Sequence, residues 1–166
     1  DSITLNKISP TLGLQNIGST CYMNSTLQCM AHFLEVSEDI LTWYKYKNDK
    51  KKKTRELSFE YAKMLDNLFF PKYQQKYYEP YKFKEIISSK NNLFAGMNPN
   101  DSKDLLNFLI ETMHNELNEL GENNNFFDDN QIVDQSNEFA ILNYFKSYFA
   151  KNYHSILSKF LYGIQK

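Results

Sequence analysis

The chain has 166 residues, 42% hydrophobic and 16% aromatic, enough apolar material for one packed domain or a large piece of one and too much for disorder throughout. Lys and Arg number 19 against 20 Asp and Glu, a net charge of -1, so the balance carries no footprint of nucleic-acid or anionic-membrane binding. No run is apolar enough to span a bilayer and no signal peptide is visible, so the chain reads as soluble and intracellular.

In chain order, the first feature is the segment Gly13-Leu14-Gln15-Asn16-Ile17-Gly18-Ser19-Thr20-Cys21-Tyr22-Met23-Asn24-Ser25. A polar, Gly-containing turn delivers Cys21 to the start of a helix. Leu27, Met30, Ala31 and Leu34 then share one face, which predicts a helix over 21–34. The second cysteine, Cys29, falls within it among apolar residues and reads as core. Eight residues of helix separate the two thiols by about 12 Å, beyond the roughly 7 Å that a disulfide tolerates. Two unpaired cysteines suit a reducing compartment.

Val36, Ile40, Leu41 and Tyr44 predict a second helix, and Leu57, Tyr61, Leu65, Leu68 and Phe69 a third. The basic run at 47–55 between them reads as an exposed loop, as does the Gly- and Asn-rich stretch at 121–131. Phe83, Ile86 and Ile87 suit a short helix. The clearest pattern runs from Asn98 to Leu120, with Leu106, Leu109, Ile110, Met113 and Leu117 as its apolar face. Asn98 is its expected N-cap, Pro99 its first residue, Asp101 an acid of its first turn and Gly121 its stop. From Glu138 the aromatic spacing suits another helix, and Ile156 to Ile164 is expected to finish as a strand without visible partners.

A cysteine attacks as thiolate. In the first turn of a helix it lies near unpaired backbone N–H groups and the positive dipole end, and both favour that form. Gly18 allows the preceding turn a positive φ and lets a substrate backbone approach. Ser19 and Thr20 can cap the helix. The Asn16 amide can donate to a carbonyl oxygen that becomes negative, a contribution worth about 10²–10³ in rate in acyl transfer. By position alone, a cysteine near a helix start is more often a small buried residue.

Extended to Gln28, this segment resembles the cysteine box of the ubiquitin-specific proteases, the papain-like thiol deubiquitinases. Tyr78-Glu79-Pro80-Tyr81-Lys82-Phe83 and Asn91-Asn92-Leu93-Phe94-Ala95-Gly96 are similar to the segment before that family's Gln-Gln-Asp box. Asp101-Ser102-Lys103-Asp104 stands where the family has Asp-Ala-x-Glu, and Leu109 to Leu117 resembles the rest of that helix. The family's paired glutamines are replaced by Pro99 and Asn100. Ser155 to Ile164 resembles the first strand leading towards the family's fingers.

The resemblance implies an α+β, papain-like cysteine-protease fold. Residues 1–166, mostly α-helical, would be the N-terminal portion of the catalytic domain: the thumb lobe plus the first element of the palm. It implies a cytoplasmic or nuclear hydrolase that cleaves (iso)peptide bonds after the C-terminal glycine of ubiquitin through an acyl-thioester. Cys21 would be the nucleophile and Asn16 the oxyanion-hole residue. Asp101 would hold the basic tail of ubiquitin, with Asp104 as a neighbouring acid and Asn100 as a remaining amide contact.

The family's base comes from a Gly-His-Tyr-like segment far downstream. None of His32, His114 and His154 has that context. His32 is about 16 Å along the helix from Cys21. Cys-x-x-Cys zinc knuckles and phosphate-binding loops are absent, so neither a metal nor a cofactor is expected. The chain, which lacks an initiating Met, thus reads as the nucleophile half of a deubiquitinase, inactive alone, with the remainder downstream. The alternative is a non-catalytic ubiquitin-binding or scaffold module that keeps the thumb.

Overall fold

The computed structural model describes residues 2–5, 9–46, 54–119 and 137–161. In order these form β1 (Gly13–Leu14), α1 (Cys21–Ala31), α2 (Leu34–Tyr46), α3 (Glu56–Phe69), β2 (Tyr77–Tyr78), α4 (Tyr81–Lys90), a 3-10 turn (Asn92–Phe94), α5 (Ser102–Leu117), α6 (Glu138–Asn152) and α7 (Ile156–Leu161). The two expected loops lie outside the described residues, apart from Thr54 and Arg55.

Helix α3 is the hub, packing against α2, α4 and α5, while α1 lies on α5 and α7 bridges α2 and α5. Its Leu57, Tyr61, Met64, Leu65 and Leu68 are all fully buried, as a helix surrounded on several sides requires. Ile40 and Leu41 of α2, Phe83 and Ile87 of α4, and Leu105, Leu109 and Met113 of α5 complete the core.

Four expectations change. The first helix stops at Ala31 and a separate helix starts at Leu34. His32 N–H is shared between the carbonyls of Gln28 and Cys29, and Phe33 N–H bonds that of Met30, a tightening that closes the helix. The buried Ser37 hydroxyl donates to Ala31 O at 3.0 Å, satisfying an end carbonyl. No Gly or Pro marks this break, so the apolar spacing ran through it.

Helix α5 begins at Ser102, not Asn98. Asp101 is the N-cap, accepting from Lys103 N–H at 2.7 Å, and Pro99 precedes the helix. The helix ends at Leu117, short of Gly121, which lies outside the described residues. Leu105 takes the buried position assigned to Leu106, which is 36% exposed.

The expected strand at 156–164 is helical over Ile156–Leu161. Ser158 N–H donates to Ser155 Oγ at 3.0 Å and Ser155 N–H to Ser158 Oγ at 2.9 Å, a reciprocal cap that starts a helix. Leu157 fixes it to the core, fully buried. Residues 162–166 lie outside the described residues.

Cys29 is exposed, not core. Residues 21, 25 and 29 form an outward stripe at four-residue spacing, opposite Met23, Leu27 and Ala31. Both cysteines are free.

Helix α6 starts where the aromatic spacing begins. Asn137 Oδ1 caps it, accepting from the N–H groups of Phe139 and Ala140.

Candidate active site

The cysteine turn is suspended between a small sheet and α1. β1 pairs in parallel with β2, Gly13 opposite Tyr77 and Leu14 opposite Tyr78, and Gln15 N–H extends the ladder to Tyr78 O at 2.9 Å. Strands of two residues leave no periodic signal, and sequence reasoning missed both. β2 is held in turn by α3: the Tyr78 hydroxyl donates to Glu60 Oε1 at 3.2 Å. Burial, then the negative Glu60 carboxylate, raises the Tyr78 phenol above its ordinary range.

On the helix side, Asn24 Nδ2 donates to Leu14 O and Gln15 O at 3.2 and 3.1 Å, and Gln28 Nε2 to Leu12 O at 3.0 Å. One face of α1 thus grips the strand that feeds the turn. Gly18 then takes φ +114° and Ser19 φ +47°, the left-handed excursion expected at Gly18. The reversal brings Cys21 to the first residue of α1, exposed.

Inside the turn, Asn16 Oδ1 accepts from Gly18 N–H (3.2 Å), Thr20 N–H (3.1 Å) and the Thr20 hydroxyl (3.1 Å). Thr20 Oγ1 also accepts from Ile17 N–H at 3.1 Å. The predicted capping by Thr20 is therefore corrected: Thr20 occupies the N-cap position, but its side chain makes no cap bond and serves the turn instead. Asn16 Nδ2 has no hydrogen-bond partner among the described residues.

A second wall rises from the segment before α5. Phe94 O receives the Ser88 hydroxyl at 2.8 Å and the Lys84 ammonium, which anchors the turn through Ala95 and Gly96. Met97 then lies over the cysteine turn: a Cβ on residue 18 would come 2.7 Å from Met97 Sδ. Asn100 Nδ2 donates to the Tyr22 hydroxyl at 3.4 Å and to Asn98 O at 3.1 Å. Thr26 Oγ1 lies 3.4 Å from Ser102 O. Contacts at residues 18, 22 and 26 set this wall along the helix that begins with Cys21. Asp101 and Asp104 are exposed at its end.

The structure thus brings the expected site residues onto two adjoining segments, with Asn100 partly committed to Tyr22. The histidines lie elsewhere. His32 Nδ1 contacts Gln28 O at the far end of α1. His154 Nδ1 pairs with Glu119 Oε2 at 3.1 Å. His114 is buried in the last turn of α5, twelve residues or about 18 Å beyond Ser102, its Nδ1 2.7 Å from Ser155 Oγ.

Burial pushes the His114 imidazole below its ordinary pKa of 6.5. The unfolded chain therefore takes up this proton first. Stability from the neutral ring is complete above about pH 6.5 and falls as pH drops below it, until the folded state also protonates. His114→Gln is expected to flatten the urea midpoint between about pH 7 and pH 5; a slope unchanged by the substitution would remove His114 as its source.

A cavity of about 510 Å³ lies apart from the cysteine turn, lined by Trp43, Arg55, Leu117, Tyr153, Ser155 and Lys159 among others. Among the described residues no group of three or more His, Cys, Asp or Glu side chains can hold a metal, and no helix is long and apolar enough to cross a membrane.

Residues 12–159 match the sequence model of the ubiquitin carboxyl-terminal hydrolase family. The chain belongs to that family, which implies a papain-like fold and agrees with the mostly helical architecture. It is 31% identical over 127 residues to ubiquitin carboxyl-terminal hydrolase 12 of Saccharomyces cerevisiae, covering 69% of this chain and 10% of that one. Identity is 33% over 109 residues to ubiquitin carboxyl-terminal hydrolase 2 of Bos taurus, covering 64% and 18%. It is 32% over 111 residues to ubiquitin carboxyl-terminal hydrolase 9 of Arabidopsis thaliana, covering 65% and 12%. The chain therefore spans less than a fifth of the length of these relatives.

Proposed function

We propose that this chain is the nucleophile half of an intracellular, thiol-dependent deubiquitinase: the thumb lobe and the first element of the palm. Cys21 attacks the carbonyl carbon of the C-terminal glycine of ubiquitin. The tetrahedral oxyanion takes a hydrogen bond from Asn16 Nδ2. Collapse breaks the C–N bond, the amine leaving with the proton that the base drew from the thiol; water then hydrolyses the thioester to the glycine carboxylate and restores the thiol. Asp101 and Asp104 present exposed carboxylates to the basic tail of ubiquitin, with Asn100 beside them.

The observation that carries this reading is the Asn16 carboxamide. Its oxygen is engaged in the cysteine turn and its NH₂ is left without a partner among the described residues. On this reading the base comes from none of this chain's histidines, because His32 stands at the far end of α1 and His114 and His154 at the far end of α5.

Full-length protein treated with ubiquitin carrying a C-terminal electrophile is expected to form an adduct at Cys21. Cys21→Ala should lose the adduct and Cys29→Ala keep it; the reverse pattern would overturn the assignment. Residues 1–166 alone should not turn over a ubiquitin-fluorophore conjugate, and turnover abolished by Cys21→Ala would refute the claim that this half is inactive. Ubiquitin binding without any adduct would instead favour the non-catalytic module.

A further inference from the structure

We propose that Thr20 is a positioning residue, whose hydroxyl joins two backbone N–H groups in holding the Asn16 carboxamide in the orientation that leaves Nδ2 free for a developing oxyanion. The inference deepens the reading of Asn16 as oxyanion donor and rests on it.

An asparagine amide can be turned over with little change in shape, and only its hydrogen bonds decide which end points where. Two backbone N–H groups, of Gly18 and Thr20, aim at one end of the Asn16 side chain. Both are obligatory donors, so that end must be the oxygen. The Thr20 hydroxyl can either donate or accept, but Asn16 Oδ1 can only accept, so the hydroxyl gives its proton to Oδ1 while its own oxygen accepts from Ile17 N–H. The turn thus runs Ile17 N–H to Thr20 Oγ1 to Asn16 Oδ1, each link at 3.1 Å.

Thr20 is 1% exposed, so water cannot readily replace its hydroxyl. With Oδ1 engaged by three donors, the amide plane is held before substrate arrives. An oxyanion donor is effective to the extent that it needs no reorganisation during the reaction. Thr20 would not touch the substrate; it acts through Asn16.

The test uses full-length protein and a ubiquitin-fluorophore conjugate. Thr20→Val removes the hydroxyl at nearly constant shape. It is expected to lower kcat about 3- to 10-fold, the effect of one net hydrogen bond, and leave KM unchanged. Thr20→Ser keeps the hydroxyl and should stay within about twofold of wild type. In an Asn16→Ala background, Thr20→Val should cost nothing further. An undiminished loss in that background, or a Ser variant as slow as the Val variant, would overturn the proposal. Activity that survives Cys21→Ala would instead refute the thiol mechanism beneath it.

A measurement without substitutions guards against a Val variant that does not fold. In the isotopically labelled protein the Thr20 hydroxyl proton should exchange slowly with water and couple across its hydrogen bond to the Asn16 side-chain carbonyl carbon. A freely exchanging Thr20 hydroxyl would also overturn the proposal.

Discussion

Asn16→Ala in full-length protein is expected to lower kcat for a ubiquitin conjugate by about 10²–10³-fold, with KM little changed. The size follows from losing a donor that acts chiefly when negative charge appears on the carbonyl oxygen. Such a loss falls on the transition state and spares ground-state binding. Asn16 also holds its turn through Oδ1, so Ala alone does not separate the two duties. Asn16→Asp does. It keeps acceptors for Gly18 N–H, Thr20 N–H and the Thr20 hydroxyl but puts an oxygen where the NH₂ was. Asp is therefore expected to be at least as damaging to kcat as Ala, in a protein whose thermal midpoint is close to wild type. An Asp variant with near-normal kcat would remove Asn16 from the oxyanion hole.

Glu116→Ala is expected to destabilise the fold by about 3 kcal/mol, because it leaves buried donors and a cation without their partner. The Glu116 side chain is 6% exposed. Its carboxylate accepts from Leu57 N–H at 3.2 Å, Ser58 N–H at 2.7 Å and the Ser58 hydroxyl at 2.7 Å, and faces Lys90 Nζ at 3.3 Å. The N-cap residue of α3, Arg55, makes no side-chain cap bond. The carboxylate from α5 supplies that cap across the fold, at the positive end of the α3 dipole. Three helices therefore meet on one side chain.

Chemical denaturation of the chain reads the loss directly, and a thermal midpoint lower by roughly 6–12 °C should accompany it. Lys90→Ala is expected to cost much less, since the Lys90 side chain is 31% exposed and its charge partly screened. A Glu116→Ala loss below about 1 kcal/mol would mean that water reaches the freed donors of α3.

The helices were legible where an apolar stripe repeats at three and four residues, as in Leu57–Tyr61–Leu65–Leu68. Their ends were less so. Asn98 and Asp101 are both competent caps, and only packing of the segment before Ser102 against α1 selects Asp101. At 156–161 the apolar run suggested a strand, while the Ser155-x-x-Ser158 cap and contact with α2 and α5 make a helix. Cys29 has apolar sequence neighbours in Met30 and Ala31, yet burial on a helix follows angular position and not adjacency. The stripe through Met23, Leu27 and Ala31 already put it on the outer side.

What the sequence determined by itself is the identity of the cysteine turn and the family. Both lie in short contiguous residue patterns: Asn16, Gly18 and Cys21 at fixed spacing, and a helical period that any local window reveals. The tertiary structure alone decided the pairings between distant segments. Those are Glu116 with the start of α3, Tyr78 with Glu60, Asn100 with Tyr22 and Met97 over Gly18. It also decided which end of Asn16 faces its turn. The reason is physical: a residue's type states what it can donate or accept, and only the folded chain brings a particular partner within 3 Å of it.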